Sequence, residues 1–182
     1  MTSLLEKIHA RTADVVVVGA GYVGLPLAVE LARARFKTVA YDRAFDRVRA
    51  INAGTSYIDD VPTEAVGPLV ASKRLSASGD PDVLSRADAV VICVPTPLNK
   101  TKDPDNSFIL DAAETLVSRM SPPQLVILES TTFPGFTREV LLPKLASGGL
   151  QLDRDFFLAF SPERVDPGNR KFQTKNTPKV IG

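Results

Sequence analysis

The chain has 182 residues, and its 22 Lys and Arg residues nearly balance its 21 Asp and Glu residues, which leaves a net charge of +1. That balance excludes the strongly basic surface by which proteins bind nucleic acids or anionic membranes. The single cysteine excludes an internal disulfide, and one His beside one Cys argues against a zinc site, so we expect a cytoplasmic protein without a metal.

Taken in chain order, residues 3–11 predict a short amphipathic helix. Residues 1–11 lack the apolar core and the small-residue cleavage site of a signal peptide, so we expect none. Apolar runs and amphipathic segments then alternate. Strands are predicted at residues 14–18, 37–41, 75–78, 88–94, 124–128 and 156–160, and helices at residues 22–34, 43–53, 63–72, 108–119 and 135–146. The longest apolar run is far too short to cross a bilayer. We therefore predict an α/β fold, a doubly wound Rossmann-type parallel sheet with helices on both faces, in one domain over residues 1–182.

The loop after the first strand reads GAGYVG and leads into a predicted helix. In this arrangement the first glycine permits a tight turn, the second lets a pyrophosphate approach the backbone, and the third lets the helix pack closely against the strand. The helix N-terminus adds free N–H groups and a positive dipole end. The loop therefore predicts a dinucleotide site. Its predicted contact residues are Gly19, Gly21, Tyr22, Val23 and Gly24.

The second strand ends at Asp42, where an acidic residue can accept hydrogen bonds from a ribose diol. A carboxylate there repels a 2′-phosphate, so Asp42 favours NAD over NADP. Arg43 leaves NADP open as an alternative, since an Arg at this position can accommodate that phosphate. Arg47 lies one helical turn later, either in contact with the adenosine or simply solvated. We expect Asp42, Arg43 and Arg47 to contact the adenosine end of the cofactor.

A long Pro-rich loop follows the fourth strand, over residues 95–107. In a doubly wound sheet the first and fourth strands flank the point where the strand order reverses, and ligands bind beyond their carboxyl ends. Pro95, Thr96 and Pro97 are therefore predicted to face the glycine loop. We expect Val94, Pro95 and Thr96 to contact the cofactor, although Thr96 could be only a turn residue between two prolines. The same topology places residues 130–135 and 161–169 at this rim.

Three further segments stand in order along the chain: ICVPTPL at residues 92–98, ESTTFPG at residues 129–135 and FSPERVDPGN at residues 160–169. Together with the glycine loop they resemble the UDP-glucose/GDP-mannose dehydrogenase family, and the resemblance covers essentially the whole chain. Arg164 and Pro167 stand where glucose-specific members typically have Phe and Glu. The chain is therefore most similar to the branch that acts on UDP-N-acetylglucosamine or UDP-N-acetylmannosamine.

The resemblance implies an enzyme that oxidises the C6 alcohol of a UDP-sugar to a carboxylate, with two NAD molecules reduced in turn and a cysteine capturing the intermediate. It implies that Thr132 and Glu163 are catalytic and also contact NAD, Thr132 near the nicotinamide and Glu163 positioning a water or moving a proton. Thr132 could instead cap the following helix. Glu163 and Arg164 are expected to bind substrate, although Arg164 could reach a neighbouring subunit or form only a surface salt bridge.

Cys93 lies inside a predicted apolar strand, and we expect it to be a core residue rather than the nucleophile. The family's nucleophile belongs to a G-x-G-G-x-C-like motif that residues 1–182 do not contain. We therefore expect this chain to be the N-terminal domain of a longer enzyme, without its connecting helix and C-terminal UDP-binding domain. On that expectation it binds NAD without turnover, and the full-length enzyme is a homo-oligomer.

Other functions remain open from the sequence. The same domain could belong to a UDP-glucose or GDP-mannose 6-dehydrogenase. A 6-phosphogluconate or 3-hydroxyacyl-CoA dehydrogenase would share the glycine loop but not the three later segments. A non-catalytic nucleotide-sensing Rossmann module would need the glycine loop but neither Thr132 nor Glu163.

Overall fold

The computed structural model describes residues 2–98, 104–164, 174 and 176–182, and these residues form six strands and six α-helices. The strands are β1 (Asp14–Val18), β2 (Lys37–Tyr41), β3 (Leu75–Ser78), β4 (Ala89–Ile92), β5 (Gln124–Leu128) and β6 (Phe156–Phe160). The helices are α1 (Leu4–His9), α2 (Gly24–Arg33), α3 (Phe45–Asn52), α4 (Thr63–Ala71), α5 (Ser107–Val117) and α6 (Leu142–Ala146).

The strands form one parallel sheet in the order β3-β2-β1-β4-β5-β6. The chain moves outward from β1 to β3, returns to pair β4 with the other side of β1, and continues outward to β6. This is the doubly wound Rossmann order, so the predicted fold class is confirmed. The order reverses between β1 and β4, where Val16 lies opposite Val90.

The core consists of two layers, one on each face of the sheet, because successive strand residues point to opposite faces. Val15 and Val17 of β1 pack into the layer that contains α2 and α4, and Val16 and Val18 pack into the layer that contains α5 and α6. Residues 15–18 are therefore all buried. Burial on both faces explains why β1 is a continuous valine run rather than an alternating strand.

Several element boundaries differ from the prediction. The fourth strand ends at Ile92 instead of residue 94, and α2 begins at Gly24 instead of residue 22. A 3-10 helix, Pro81–Arg86, was not predicted; the Asp80 carboxylate accepts a hydrogen bond from the Asp82 N–H at its start. The helix predicted at residues 135–146 starts later, with a π-helical turn at Thr137–Leu141.

Within the described ranges, no helix is both long and apolar enough to cross a membrane.

Candidate functional site

A cavity of about 530 Å³ opens at the carboxyl ends of β1 and β4, where the strand order reverses. Its volume lies within the range of cofactor and ligand pockets. Most of the residues predicted to bind a cofactor line it, namely Gly19, Gly21, Tyr22, Val23, Asp42, Arg43, Arg47, Val94, Pro95, Thr96 and Glu163. Gly24, Thr132 and Arg164 do not line it. The topology therefore brings together segments that are far apart in the sequence.

The three glycines of the loop meet different steric constraints. Gly19 has a φ of +93°, and a Cβ on it would lie 2.7 Å from the carbonyl oxygen of Cys93. A Cβ on Gly24 would lie 1.7 Å from the carbonyl oxygen of Gly19, so only glycine lets α2 start so close to β1. A Cβ on Gly21 would meet nothing within 4 Å. Gly19 and Gly24 therefore shape the loop, whereas Gly21 leaves open space at the cavity wall.

The N-terminus of α2 opens towards this cavity. Val23 occupies the N-cap position without a side-chain cap, and Tyr22 and Val23 both line the cavity. The first backbone N–H groups of a helix have no acceptor within the helix, and the helix dipole favours negative charge at this end. The arrangement fits a phosphate group.

Asp42 lies at the end of β2 and is 9% exposed. Its Oδ2 accepts hydrogen bonds from the Ala20 N–H at 2.8 Å and from Arg47 at 3.1 Å, and its Oδ1 accepts one from the Ala44 N–H at 2.8 Å. Three donors therefore hold the carboxylate beside the glycine loop. The exposed Arg43 guanidinium lies 3.8 Å from Asp111 of α5, on the opposite wall of the cavity.

The two adjacent threonines after β5 lie in different environments. Thr131 lines the cavity together with Glu129 and Ser130, whereas Thr132 does not. The hydroxyl of Ser130 donates to the carbonyl of Val94 at 2.8 Å and thereby joins the ends of β5 and β4. The alternative role for Thr132, capping the next helix, is wrong, because that helix starts at Thr137 with Phe136 at its N-cap and no side-chain cap.

An ion pair that was not predicted from the sequence lies beside Glu163. Glu129 is 2% exposed, and its carboxylate contacts the ammonium group of Lys179. The same ammonium group lies 3.9 Å from the Glu163 carboxylate. Glu129 could have been recognised, because a carboxylate directly after a buried strand falls at the ligand-binding edge of the sheet. No local pattern marks Lys179.

Arg164 is exposed, and its backbone N–H donates to Glu163 Oε1 at 2.6 Å. The segment VDPGN at residues 165–169, which carries part of the resemblance, lies outside the described residues.

Cys93 is buried, as predicted, directly after β4. Burial raises the pKa of its thiol far above the ordinary value, the negative charge of Glu163 raises it further, and Lys179 opposes the shift. The thiol lies 3.7 Å from Glu129 Oε2, to which it can donate. Because the reactive form of a cysteine is the thiolate, this environment is unsuited to a nucleophile.

Comparison with known proteins identifies the family. A model of the NAD binding domain of the UDP-glucose/GDP-mannose dehydrogenase family matches residues 13–182. The chain belongs to this family. The predicted resemblance is thereby confirmed, and so is NAD as the cofactor of the matched domain.

Curated relatives and solved structures agree with this assignment. The chain is 35% identical to the UDP-N-acetyl-D-glucosamine 6-dehydrogenase of Pseudomonas aeruginosa over 171 residues, 93% of this chain and 40% of the relative. It is 33% identical to the UDP-N-acetyl-D-mannosamine dehydrogenase of Pyrococcus horikoshii, over 92% of this chain and 40% of the relative. The solved structure of NDP-N-acetyl-D-galactosaminuronic acid dehydrogenase from Methanosarcina mazei superimposes with a TM-score of 0.85 at 30% identity, covering 100% of this chain and 41% of that one. The chain thus spans about two fifths of the length of these family members.

The residues present fit NAD. Gly21 leaves the wall of the cavity open at the N-terminus of α2, where the pyrophosphate of a dinucleotide binds in this fold. Asp42 provides the carboxylate expected at a ribose diol and disfavours a 2′-phosphate. The described ranges contain no group of three or more His, Cys, Asp or Glu side chains placed to hold a metal ion.

Proposed function

We propose that this chain is the cofactor-binding domain of a longer UDP-N-acetylhexosamine 6-dehydrogenase. That enzyme would oxidise the C6 alcohol of the sugar to a carboxylate, and we place its nucleophilic cysteine, its UDP-binding domain and its oligomer contacts outside residues 1–182. The relatives named for N-acetylated sugars support the substrate class, since they match 92–93% of this chain at 33–35% identity. They are also longer than this chain, which supports a division of the enzyme into domains.

The observation that carries the proposal is a single cavity with the glycine loop on one wall and Glu163 on another. NAD, when bound, accepts a hydride, and four-electron oxidation of an alcohol to an acid consumes two NAD molecules. The glycine loop would bind the pyrophosphate, Asp42 the adenosine ribose, and Val94, Pro95 and Thr96 the opposite face of the cofactor. A site with phosphate-binding and proton-transferring groups in one cavity suits a dehydrogenase better than a nucleotide sensor.

The intermediate captured by the cysteine of the longer enzyme would become a thioester once it is oxidised by the second NAD. Glu163 is the residue that we propose for proton transfer or for positioning the water that hydrolyses this thioester. Its carboxylate lies at the cavity wall, 3.9 Å from the Lys179 ammonium group, which provides a positive charge beside it. Thr132 was predicted to act near the nicotinamide. We propose that Thr131 shares or replaces that role, because Thr131 lines the cavity. Arg164 remains a candidate for substrate binding through its exposed side chain.

Calorimetric titration of residues 1–182 with NAD and NADP tests the cofactor site. We expect NAD to bind more tightly than NADP, because Asp42 repels a 2′-phosphate. Asp42→Ala should weaken NAD binding by about 10- to 100-fold, the value of a charge-assisted hydrogen bond. Arg49→Ala is the matched control, since Arg49 lies on α3 and does not line the cavity. Equal binding of NAD and NADP, or an unchanged affinity in Asp42→Ala, would contradict the role of Asp42.

NADH formation tests the substrate class. The full protein that carries this chain should reduce NAD with UDP-N-acetylglucosamine or UDP-N-acetylmannosamine and much more slowly with UDP-glucose or GDP-mannose. Residues 1–182 alone should bind NAD but reduce it with none of these four sugars. A preference of the full protein for UDP-glucose would favour the other branch of the family, and turnover by residues 1–182 would refute the proposed division of the enzyme.

A further inference from the structure

Tyr57 reaches the glycine loop from the segment between α3 and α4. Its hydroxyl donates a hydrogen bond of 2.6 Å to the carbonyl oxygen of Ala20. The ring is partly buried against the core layer that contains α2. Tyr57 does not itself line the cavity, so the Ala20 carbonyl points away from the space in which a cofactor would bind.

Ala20 is held on both sides. Its N–H donates to Asp42 Oδ2 at 2.8 Å, its carbonyl accepts from Tyr57, and its methyl group is fully buried. The peptide groups before and after Ala20 are therefore each oriented by one side chain. Asp42 was predicted from the sequence as a ribose-binding residue, but it also has this structural role.

The orientation of the second peptide determines where the Gly21 N–H points. In a planar trans peptide the carbonyl of one residue and the N–H of the next point in opposite directions. With the Ala20 carbonyl turned towards Tyr57, the Gly21 N–H is directed to the other side, and Gly21 lines the cavity. In the described ranges no hydrogen bond has this N–H as its donor. We infer that Tyr57 is a positioning residue that aims the Gly21 N–H at the pyrophosphate of the cofactor.

A positioning residue is needed because the peptide between Ala20 and Gly21 has a second orientation. Because glycine tolerates most backbone angles, the peptide between Ala20 and Gly21 can rotate at little steric cost. Rotation would turn the Ala20 carbonyl oxygen into the cavity, where its negative end would repel a phosphate. The hydrogen bond from Tyr57 is lost in that state. Tyr57 therefore raises the population of the conformation that accepts an anion.

The segment that carries Tyr57 is itself well anchored. The backbone N–H of Ser56, which a substitution of its side chain leaves in place, donates to Thr63 Oγ1 at 3.1 Å. Ile58 and Val61 are buried in the same core layer as Tyr57. Burial, reinforced by the charge of Asp42 and opposed by Arg47, raises the pKa of Tyr57 to about 12. The hydroxyl thus remains a donor throughout the physiological pH range.

The test compares Tyr57→Phe with wild type by calorimetric titration with NAD. Tyr57→Phe keeps the ring and its packing, so the melting temperature should change little, while NAD affinity should fall by about 3- to 10-fold, the value of one hydrogen bond. Ser56→Ala is the matched control, because it removes hydrogen bonds within the same segment and leaves the Tyr57 hydroxyl in place. Its NAD affinity should equal that of wild type.

A second measurement reads the loop without any ligand. The Gly21 amide resonance of the free protein should be sharp in wild type and in Ser56→Ala, but shifted or broadened by exchange in Tyr57→Phe, with the Gly79 resonance unchanged. An unchanged NAD affinity in Tyr57→Phe, an equal loss in Ser56→Ala, or an unperturbed Gly21 resonance would overturn the inference. The inference depends on NAD binding by this chain, but the two can be tested apart. A wild-type chain that does not bind NAD contradicts the cofactor site. Equal binding by wild type and Tyr57→Phe contradicts only the role of Tyr57.

Discussion

The ammonium group of Lys179 contacts the carboxylate of Glu129 beneath the rim of the cavity. Glu129 is 2% exposed, and burial of an ionised carboxylate without a partner costs several kcal/mol. The pair therefore balances the charge of Glu129 and holds Lys179 against the end of β5. Since Lys179 also lies 3.9 Å from Glu163, the same ammonium group links two carboxylates at one end of the site.

Lys179→Met should lower the free energy of unfolding by about 3 kcal/mol, near the lower limit for breaking a buried ion pair, because Lys179 retains some solvent contact. The loss arises from the Glu129 carboxylate, which remains buried without its counter-charge. The double variant Glu129→Gln with Lys179→Met should recover part of the stability. Urea unfolding of the two single variants and the double variant measures this coupling.

Lys144→Met is the control for that experiment. Lys144 forms a pair of 3.2 Å with Glu114, whose side chain is 74% exposed. Exposed pairs contribute at most about 1 kcal/mol, so this substitution should change stability little. If Lys179→Met and Lys144→Met lower the free energy of unfolding equally, the Glu129–Lys179 pair contributes no more to stability than an exposed pair.

Gly21→Ala should remove NAD binding without destabilising the fold. A methyl group there meets no protein atom within 4 Å and occupies space that we assign to the pyrophosphate. Because Gly21 does not have a positive φ, alanine fits the backbone, and its lower entropy in the unfolded chain should leave stability equal or slightly higher. Calorimetry with NAD and thermal unfolding of the same sample separate the two effects.

Gly24→Ala should behave in the opposite way. Its Cβ would lie 1.7 Å from the Gly19 carbonyl oxygen, a backbone atom that cannot move aside without displacing the start of α2. We expect a loss of about 3 kcal/mol or more in unfolding free energy. Normal stability in Gly24→Ala, or normal NAD binding in Gly21→Ala, would contradict the distinct roles assigned to these two glycines.

Cys93 should resist alkylation in the folded protein. Its thiol is buried, and burial beside Glu163 raises its pKa, so very little thiolate is present at neutral pH. Iodoacetamide should modify the chain only as fast as it unfolds, and the rate should rise to that of a free thiol in urea. Rapid modification of the native chain would mean that Cys93 is accessible and reactive after all.

The raised pKa of Tyr57 has a consequence for stability at alkaline pH. The pKa increases from the ordinary 10.0 to about 12 on folding, so the folded state retains its proton over a range in which the unfolded state has lost it. Because the folded state binds this proton more tightly, the Tyr57 hydroxyl contributes to the free energy of unfolding. That contribution is complete below pH 10.0 and is lost as the pH rises through about 12. Urea unfolding as a function of pH should show this decline in wild type and a smaller one in Tyr57→Phe. Identical pH profiles would contradict the shift.

The sheet and the glycine loop could be predicted because their signals are local. A strand buried on both faces must be apolar throughout, as residues 15–18 are. When the loop that joins such a strand to a helix reads GAGYVG, it has few structural alternatives. Asp42 follows from its place at the end of the next strand. These features depend on residues that are adjacent in sequence or related by one βαβ unit.

The remaining features depend on contacts that span the chain. Lys179 contacts a carboxylate 50 residues earlier, and Tyr57 contacts a carbonyl 37 residues earlier, so neither has a local pattern. Thr131 and Thr132 are chemically identical neighbours, and only the direction in which the chain leaves β5 decides which one lines the cavity. The boundaries of the predicted helices were also approximate, because capping and the turn at Gly135 decide them.

The position of the glycine loop at the end of β1 has a consequence for how a ligand would meet it. β1 has a hydrogen-bonded neighbour on each side and a core layer on each face, so its amides should be among the slowest in the chain to exchange with solvent. Gly19 and Ala20, which begin the loop on this strand, should therefore be ordered before a ligand arrives, and Tyr57 holds the following peptide, which could otherwise rotate. Association should therefore be a single kinetic step, with a rate set by diffusion into the cavity rather than by folding of the loop.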